Sequence, residues 1–136
     1  MKVKAAVVFE TAAHPFTETQ PLKIEEVDLD PPGPGEVLVK VMAAGLCHSD
    51  LSAIEGVRPR KMPYVPGHEA SGIVEEVGEG VTRVKPGDHA VLFFVPNCGT
   101  CLSCDRGEPY LCDTAYEARS DGHLITGNHK IRLNGE

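Results

Sequence analysis

The sequence is short of basic residues: 13 Lys and Arg stand against 20 Asp and Glu, a net charge of −7 over 136 residues. Such a surface repels phosphate backbones, and no Lys/Arg cluster of the nucleic-acid-binding kind interrupts it, so nucleic acid is excluded as a partner. Long hydrophobic runs are also missing. Every apolar stretch is cut by a charge, Gly or Pro within about seven residues, against the roughly 20 that a membrane span needs. The two lysines of MKVKAAVVFE precede a run that ends at Glu10, shorter than the core of a secretory signal. There is no internal repeat, low-complexity tract, clear linker or long segment of 3.6-residue periodicity. What is present is one domain's worth of chain, 41% hydrophobic and 24% charged, near the values for soluble globular proteins. A soluble, cytoplasmic protein is the expectation.

Five segments read as strands: KVKAAVVF (2–9), LKIEEVDL (22–29), EVLVKVMAA (36–44), ASGIVEEVG (70–78) and HAVLFFV (89–95). They are rich in Val and Ile, and several alternate in polarity. DPPGPGE at 30–36, GEG at 78–80 and KPGD at 85–88 read as turns between them. Short, closely spaced strands predict a mainly β domain, a small antiparallel barrel or sandwich. One short helix is expected over 48–56, HSDLSAIEG, with Ser49 or Asp50 as N-cap and Gly56 as its stop.

Four of the five cysteines lie within CGTCLSCDRGEPYLC, residues 98–112. The odd total and the absence of secretory features favour metal binding over disulfides. Cys98, Cys101, Cys104 and Cys112 are spaced C-x2-C-x2-C-x7-C, and four thiolates close a tetrahedral zinc shell that leaves no place for water. Such a site is structural, holding a loop with almost no apolar content of its own. An iron–sulfur cluster also begins C-x2-C-x2-C, but there the fourth cysteine follows after three residues and precedes Pro; here it follows after seven and precedes Asp113.

The fifth cysteine, Cys47, follows a predicted strand in AAGLCHSDL, and His68 stands at the entrance of another in PGHEASG. Open catalytic zinc sites are built from such strand-end ligands, yet two ligands do not make a tight site. A lone Cys also serves as a small buried apolar residue. Ser49 and Asp50 alone suit a helix cap, Glu69 a surface charge and Phe94 the core. VGEG at 77–80 lacks the third Gly and the helix of a dinucleotide loop and reads as a turn.

GLCHSD, GHEASGIVEEVGEGVTRVKPGDHAV and CGTCLSCDRGEPYLC occur in the order and at about the separations of zinc-dependent medium-chain alcohol dehydrogenases, and the chain resembles that family over nearly its whole length. The resemblance implies a GroES-like barrel with short helices and a zinc-stapled loop lobe at about 96–116, forming a catalytic domain over 1–136. It implies Cys47 and His68 as catalytic-zinc ligands and Cys98, Cys101, Cys104 and Cys112 as the structural site. His48 matches a contact to the coenzyme pyrophosphate, and Ser49 the hydroxyl that takes the alcohol proton. Asp50 matches a carboxylate behind the ligands, Glu69 an acid that tunes or approaches the metal, and Phe94 a residue lining the substrate cleft. His14, His89, His123 and His129 match no ligand position.

The family usually continues into a Rossmann domain that binds NAD. Only 24 residues follow Cys112, fewer than one βαβ unit needs, so a coenzyme-binding domain and the family's third cysteine ligand have no place here. Ser52 stands where many relatives carry a relay histidine. These departures lead us to expect an N-terminal portion of a zinc- and NAD-dependent dehydrogenase acting on small alcohols or aldehydes, a homo-oligomer in its full form, with the portion alone inactive. The alternative from a different class is a non-catalytic, zinc-stabilised binding module on the same barrel. A zinc deaminase needs H-x-E and P-C-x-x-C, which GHEA and PNCGTC do not supply.

Overall fold

The computed structural model describes residues 1–135, so the last position of the expected 1–136 domain lies outside the described residues. The chain folds mainly into strands, in two three-stranded antiparallel sheets. In the first, β1 (Lys2–Val8) pairs along its full length with β2 (Leu22–Leu29), and β2 carries the short edge strand β6 (Ile131–Arg132). In the second, β3 (Val37–Ala44) pairs with β4 (Ala70–Val77), which pairs with β5 (His89–Leu92). All five strands read from the sequence are present, β5 ending three residues early at Leu92.

Val7, Val8, Val27 and Val74 of the strands are buried together with Ala53 and Ile54; Val7 and Val8 are consecutive, so β1 is covered on both faces at its end. Ala53 and Ile54 come from the predicted short helix, α2 (His48–Ile54), which ends two residues before Gly56 and its φ of +80°. Its N-cap is Cys47, in extended conformation, and not Ser49 or Asp50. Asp50 instead reaches back from the first turn, its Oδ2 accepting a hydrogen bond from the Cys47 N–H at 3.1 Å. The cap thus works from inside the helix, as in a capping box.

Three helices escaped the sequence reading: α1 (Phe16–Thr19), α3 (Leu102–Asp105) and α4 (Asp113–Asp121). Helix α4 buries only two small residues, Ala115 and Ala118, together with Cys112 just before it. The apolar stripe is therefore too thin to stand out in a periodicity count.

Two ties fix the layout around the candidate sites. Val8 and Tyr64 exchange backbone hydrogen bonds of 2.9 and 3.0 Å, anchoring the segment that leads to His68 onto the first sheet. Glu36, the buried charged residue among those described, accepts hydrogen bonds from Lys130 Nζ (2.7 Å), Thr126 Oγ1 (2.6 Å), Asn128 Nδ2 (3.0 Å) and the Gly33 N–H (2.8 Å). Burial alone would push its carboxyl up, but Lys130 and the three neutral donors hold it at about 2. The turn beside it is closely packed: a Cβ on Gly78 would stand 1.8 Å from the Gly33 carbonyl oxygen. Arg132 pairs with Asp30, just past the end of β2, so the short strand β6 is latched to the segment that leaves β2.

Candidate metal centres

The four clustered cysteines converge as their spacing predicted. Cys98 leads into the loop, Cys101 is the N-cap of α3, Cys104 lies within α3, and Cys112 sits at the start of α4. Their sulfurs all lie within 4.8 Å of one another and form no disulfide among the described residues. The separations are 3.6 Å for Cys98–Cys112, 3.9 Å for Cys101–Cys112 and 4.0 Å for Cys98–Cys104. A tetrahedral thiolate shell with metal–sulfur bonds of about 2.3 Å has edges of about 3.8 Å, so the four sulfurs fit a metal ion as they stand.

The backbone has prepared two of them, Cys98 and Cys101, for thiolate character. Cys98 Sγ accepts from the Thr100 N–H (3.4 Å), the Thr100 hydroxyl (3.5 Å) and the Cys101 N–H (3.3 Å), while the Cys98 N–H donates to Cys112 Sγ (3.3 Å). The Thr100 donors foremost bring the Cys98 thiol down to about 5, and a backbone donor at Cys104 lowers that of Cys101. Burial pushes Cys104 up to about 11. Three donors on the Cys98 sulfur favour its thiolate, whereas the desolvated Cys104 thiol gives up its proton only to a cation placed beside it. Thr100 went unremarked in the sequence; the N–H···S pattern of a C-x-T-C turn is the signal that would have found it.

The second cluster is assembled from distant segments. The β3–β4 register sets Ala44 opposite Ala70, and the Gly45 N–H donates to the Glu69 carbonyl at 2.9 Å, extending the ladder by one step. Beyond that step Cys47, at the cap of α2, faces His68, and the donor atoms of Cys47, His68 and Glu69 lie within 4.8 Å of one another. Asp50 stands behind both. Its Oδ1 accepts from the Gly67 N–H at 3.2 Å and lies 3.3 Å from His68 Nδ1, while its Oδ2 holds the Cys47 N–H. With Nδ1 turned to a carboxylate, Nε2 is the nitrogen left for a metal, and a carboxylate in that place fixes the ring of a ligating histidine.

His68 Nε2 is 3.4 Å from Ser49 Oγ and 3.9 Å from Glu69 Oε1. Phe94 meets the His68 ring edge-on, with centroids 5.3 Å apart, and Phe93 tilts against Phe94 at 5.6 Å. Both phenylalanines are exposed, so Phe94 is no core residue but an apolar edge beside the cluster. His48 points elsewhere: its Nδ1 lies 3.3 Å from Ser52 Oγ, one helical turn on, and the pair is exposed. Tyr64 adds a neighbour that the sequence did not flag. Burial first and then the Asp50 charge push its phenol up.

Comparison with known proteins follows from this geometry. Residues 33–130 match the alcohol dehydrogenase GroES-like domain, a span that contains both clusters. The chain belongs to that family. Within it, the putative alcohol dehydrogenase D of Mycobacterium tuberculosis is 58% identical over 113 residues, which are 83% of this chain and 29% of that protein. The NDMA-dependent alcohol dehydrogenase of Amycolatopsis methanolica is 48% identical over 135 residues, 99% of this chain and 34% of that one. Among solved structures, an alcohol dehydrogenase zinc-binding domain protein from Burkholderia ambifaria superposes with a TM-score of 0.85 at 36% identity, over 98% of this chain and 34% of its own. The chain spans about a third of the length of the relatives it matches. Among the described residues no helix is long and apolar enough to cross a membrane.

Proposed function

We propose that this GroES-like domain supplies the metal and substrate side of an NAD-dependent, zinc-containing alcohol dehydrogenase, acting in the cytoplasm on small alcohols or the corresponding aldehydes. The observation that carries this reading is the convergence of Cys47, His68 and Glu69 donor atoms within 4.8 Å, backed by one carboxylate, Asp50, that reaches both principal ligands. The domain covers 1–136 with a zinc-holding lobe at about 96–116, and the coenzyme-binding part and the contacts of a homo-oligomer belong to the further length of such enzymes.

Zinc bound here supplies Lewis acidity that makes an alcohol hydroxyl acidic near neutral pH, and NAD supplies the hydride acceptor. The chain's own residues do the rest. Asp50 holds the Nδ1 side of the His68 ring, so that Nε2 would be the nitrogen to hold the ion, and fixes the backbone of Cys47. Ser49, 3.4 Å from that nitrogen, would take the hydroxyl proton of an alcohol held there and pass it outward. Glu69 adds negative charge at the rim. Phe94 gives the carbon skeleton of the substrate an apolar wall and keeps water from that flank. His48, exposed at the first residue of α2, is the group for the coenzyme pyrophosphate.

The four-cysteine lobe is structural in this reading: its shell has no position left for substrate. Metal analysis of the chain tests the assignment. Two zinc ions per chain are expected; Cys47→Ala or His68→Ala removes one and leaves the other. A chain that binds a single ion, with Cys47 freely alkylated, overturns the catalytic assignment and leaves a zinc-stabilised binding module. The 136-residue polypeptide by itself is expected to show no NAD-dependent alcohol oxidation.

A further inference from the structure

Gly45 lies between the end of β3 and Cys47, and its backbone is not in the left-handed region. A left-handed backbone therefore does not explain a glycine here. Its surroundings do. A Cβ built on Gly45 would stand 2.6 Å from Glu69 Oε2, 3.3 Å from Glu69 Cβ and 3.6 Å from Glu69 Cδ. The space that a side chain would fill is taken by the Glu69 carboxylate.

We infer that Gly45 is a positioning residue: its missing side chain is the slot that holds the Glu69 carboxylate against Cys47 and His68, within reach of an ion that those two would hold. The two backbones cannot move apart to relieve a clash, because the Gly45 N–H is bonded to the Glu69 carbonyl at 2.9 Å and the register of Ala44 with Ala70 continues directly from it. The carboxylate is the part that gives. Its oxygens share one carbon, so displacing Oε2 also carries away Oε1, which lies 3.9 Å from His68 Nε2. Glu69 is half exposed and can swing into solvent at little cost in stability. Gly45→Ala therefore leaves the fold intact while removing one ligand, a separation that mutation of a ligand cannot offer.

The inference rests on the metal reading of the Cys47–His68 cluster, and the test separates the two. The chain is given one equivalent of zinc to fill the four-cysteine lobe and then titrated with cobalt(II), whose thiolate charge-transfer band and visible d–d absorption report Cys47 ligation and coordination number. Gly45→Ala and Glu69→Gln are each expected to weaken cobalt binding about 10–100-fold and to change the d–d bands in the same way. The double variant is expected to bind no more weakly than Glu69→Gln alone, because the slot has nothing left to position. A wild-type chain that takes up no cobalt beyond the lobe overturns the metal reading and the inference with it. Cobalt affinity and spectrum indifferent to Gly45→Ala, or to Glu69→Gln, overturn the inference alone. So does a Gly45→Ala penalty that persists undiminished in the Glu69→Gln background, which would mark a purely structural role.

Discussion

The two clusters solve the problem of gathering metal donors in opposite ways. The lobe takes four identical donors from fifteen consecutive residues, 98–112, and presents sulfurs within 4.8 Å of one another, with backbone N–H groups already aimed at those of Cys98 and Cys112. The second cluster takes three different donors from two strand ends, Cys47 and His68–Glu69, holds them through a carboxylate, and leaves an exposed side bounded by Phe94 and Ser49. A closed, local, all-thiolate shell suits holding structure; an open, non-local, mixed shell leaves room for a reacting molecule. The difference also predicts where each fails: the lobe depends on its metal for shape, whereas the second site depends on the sheet.

The most severe way to break the symmetry of that comparison is Cys112→Ser. Structural zinc is worth on the order of 10–16 kcal/mol to domains that fold around it, and Cys112 is both a proposed ligand and a buried residue at the head of α4. Amide exchange should show protection lost across residues 98–121 with β3 and β4 retained; a lobe that keeps its protection without zinc would contradict its role as a staple.

Next in size is a tie that uses no metal. Glu36→Ala leaves the Lys130 ammonium, itself largely shielded, without its partner, and urea denaturation should register a loss of about 3–5 kcal/mol. The pH dependence has a definite sign. The folded carboxyl lies at about 2, below the ordinary 4.5, so its contribution is fully present above roughly pH 4.5 and is lost as pH falls toward 2. Wild-type stability should therefore drop over that window, and the drop should be smaller in Glu36→Ala.

Asp50→Asn sharpens the comparison by touching one centre alone. It keeps the shape but weakens the hold on His68 Nδ1, and metal affinity at Cys47–His68 should fall about 10–100-fold while the lobe keeps its zinc. Equal losses at both centres would show that they are not independent. The smallest effect belongs to Phe94→Ala. The edge contact with His68 is worth about 0.5–1.5 kcal/mol, so a modest fall in thermal stability with both metals retained is the expected result.

What could be read from the sequence follows the same division. The strands announce themselves through Val- and Ile-rich runs bounded by Gly and Pro, and the lobe through spacing alone, because its ligands are neighbours in the chain. Helix α4 did not, since Ala115 and Ala118 carry its burial with almost no hydrophobic contrast. Glu36 read as the start of a strand; its partners at 126–130 are about 90 positions away, and nothing local marks them. The second cluster was half legible. Cys47 and His68 stood out as ligand types at strand ends, whereas the slot at Gly45 requires knowing that residue 45 lies opposite residue 69. Ser49 and Asp50 lie in the first turn of the helix as expected, but that Cys47 is its N-cap, with Asp50 reaching back to the Cys47 N–H, depends on a side-chain direction that spacing does not give.

The antiparallel register of β3 and β4 has a consequence for how the protein assembles. A slip of two residues would keep the alternation of the pleat, but it would misplace the two bulges of this pair and bring a side chain to where Gly72 leaves only 2.1 Å between a Cβ and the Lys40 carbonyl oxygen. It would also shift one strand end past the other by roughly 6.8 Å. The donor atoms of Cys47, His68 and Glu69 tolerate no such offset, since they span 4.8 Å in all. An ion that binds there therefore acts as a gauge of alignment, rewarding the one pairing of the two strands from which the rest of the domain can be completed.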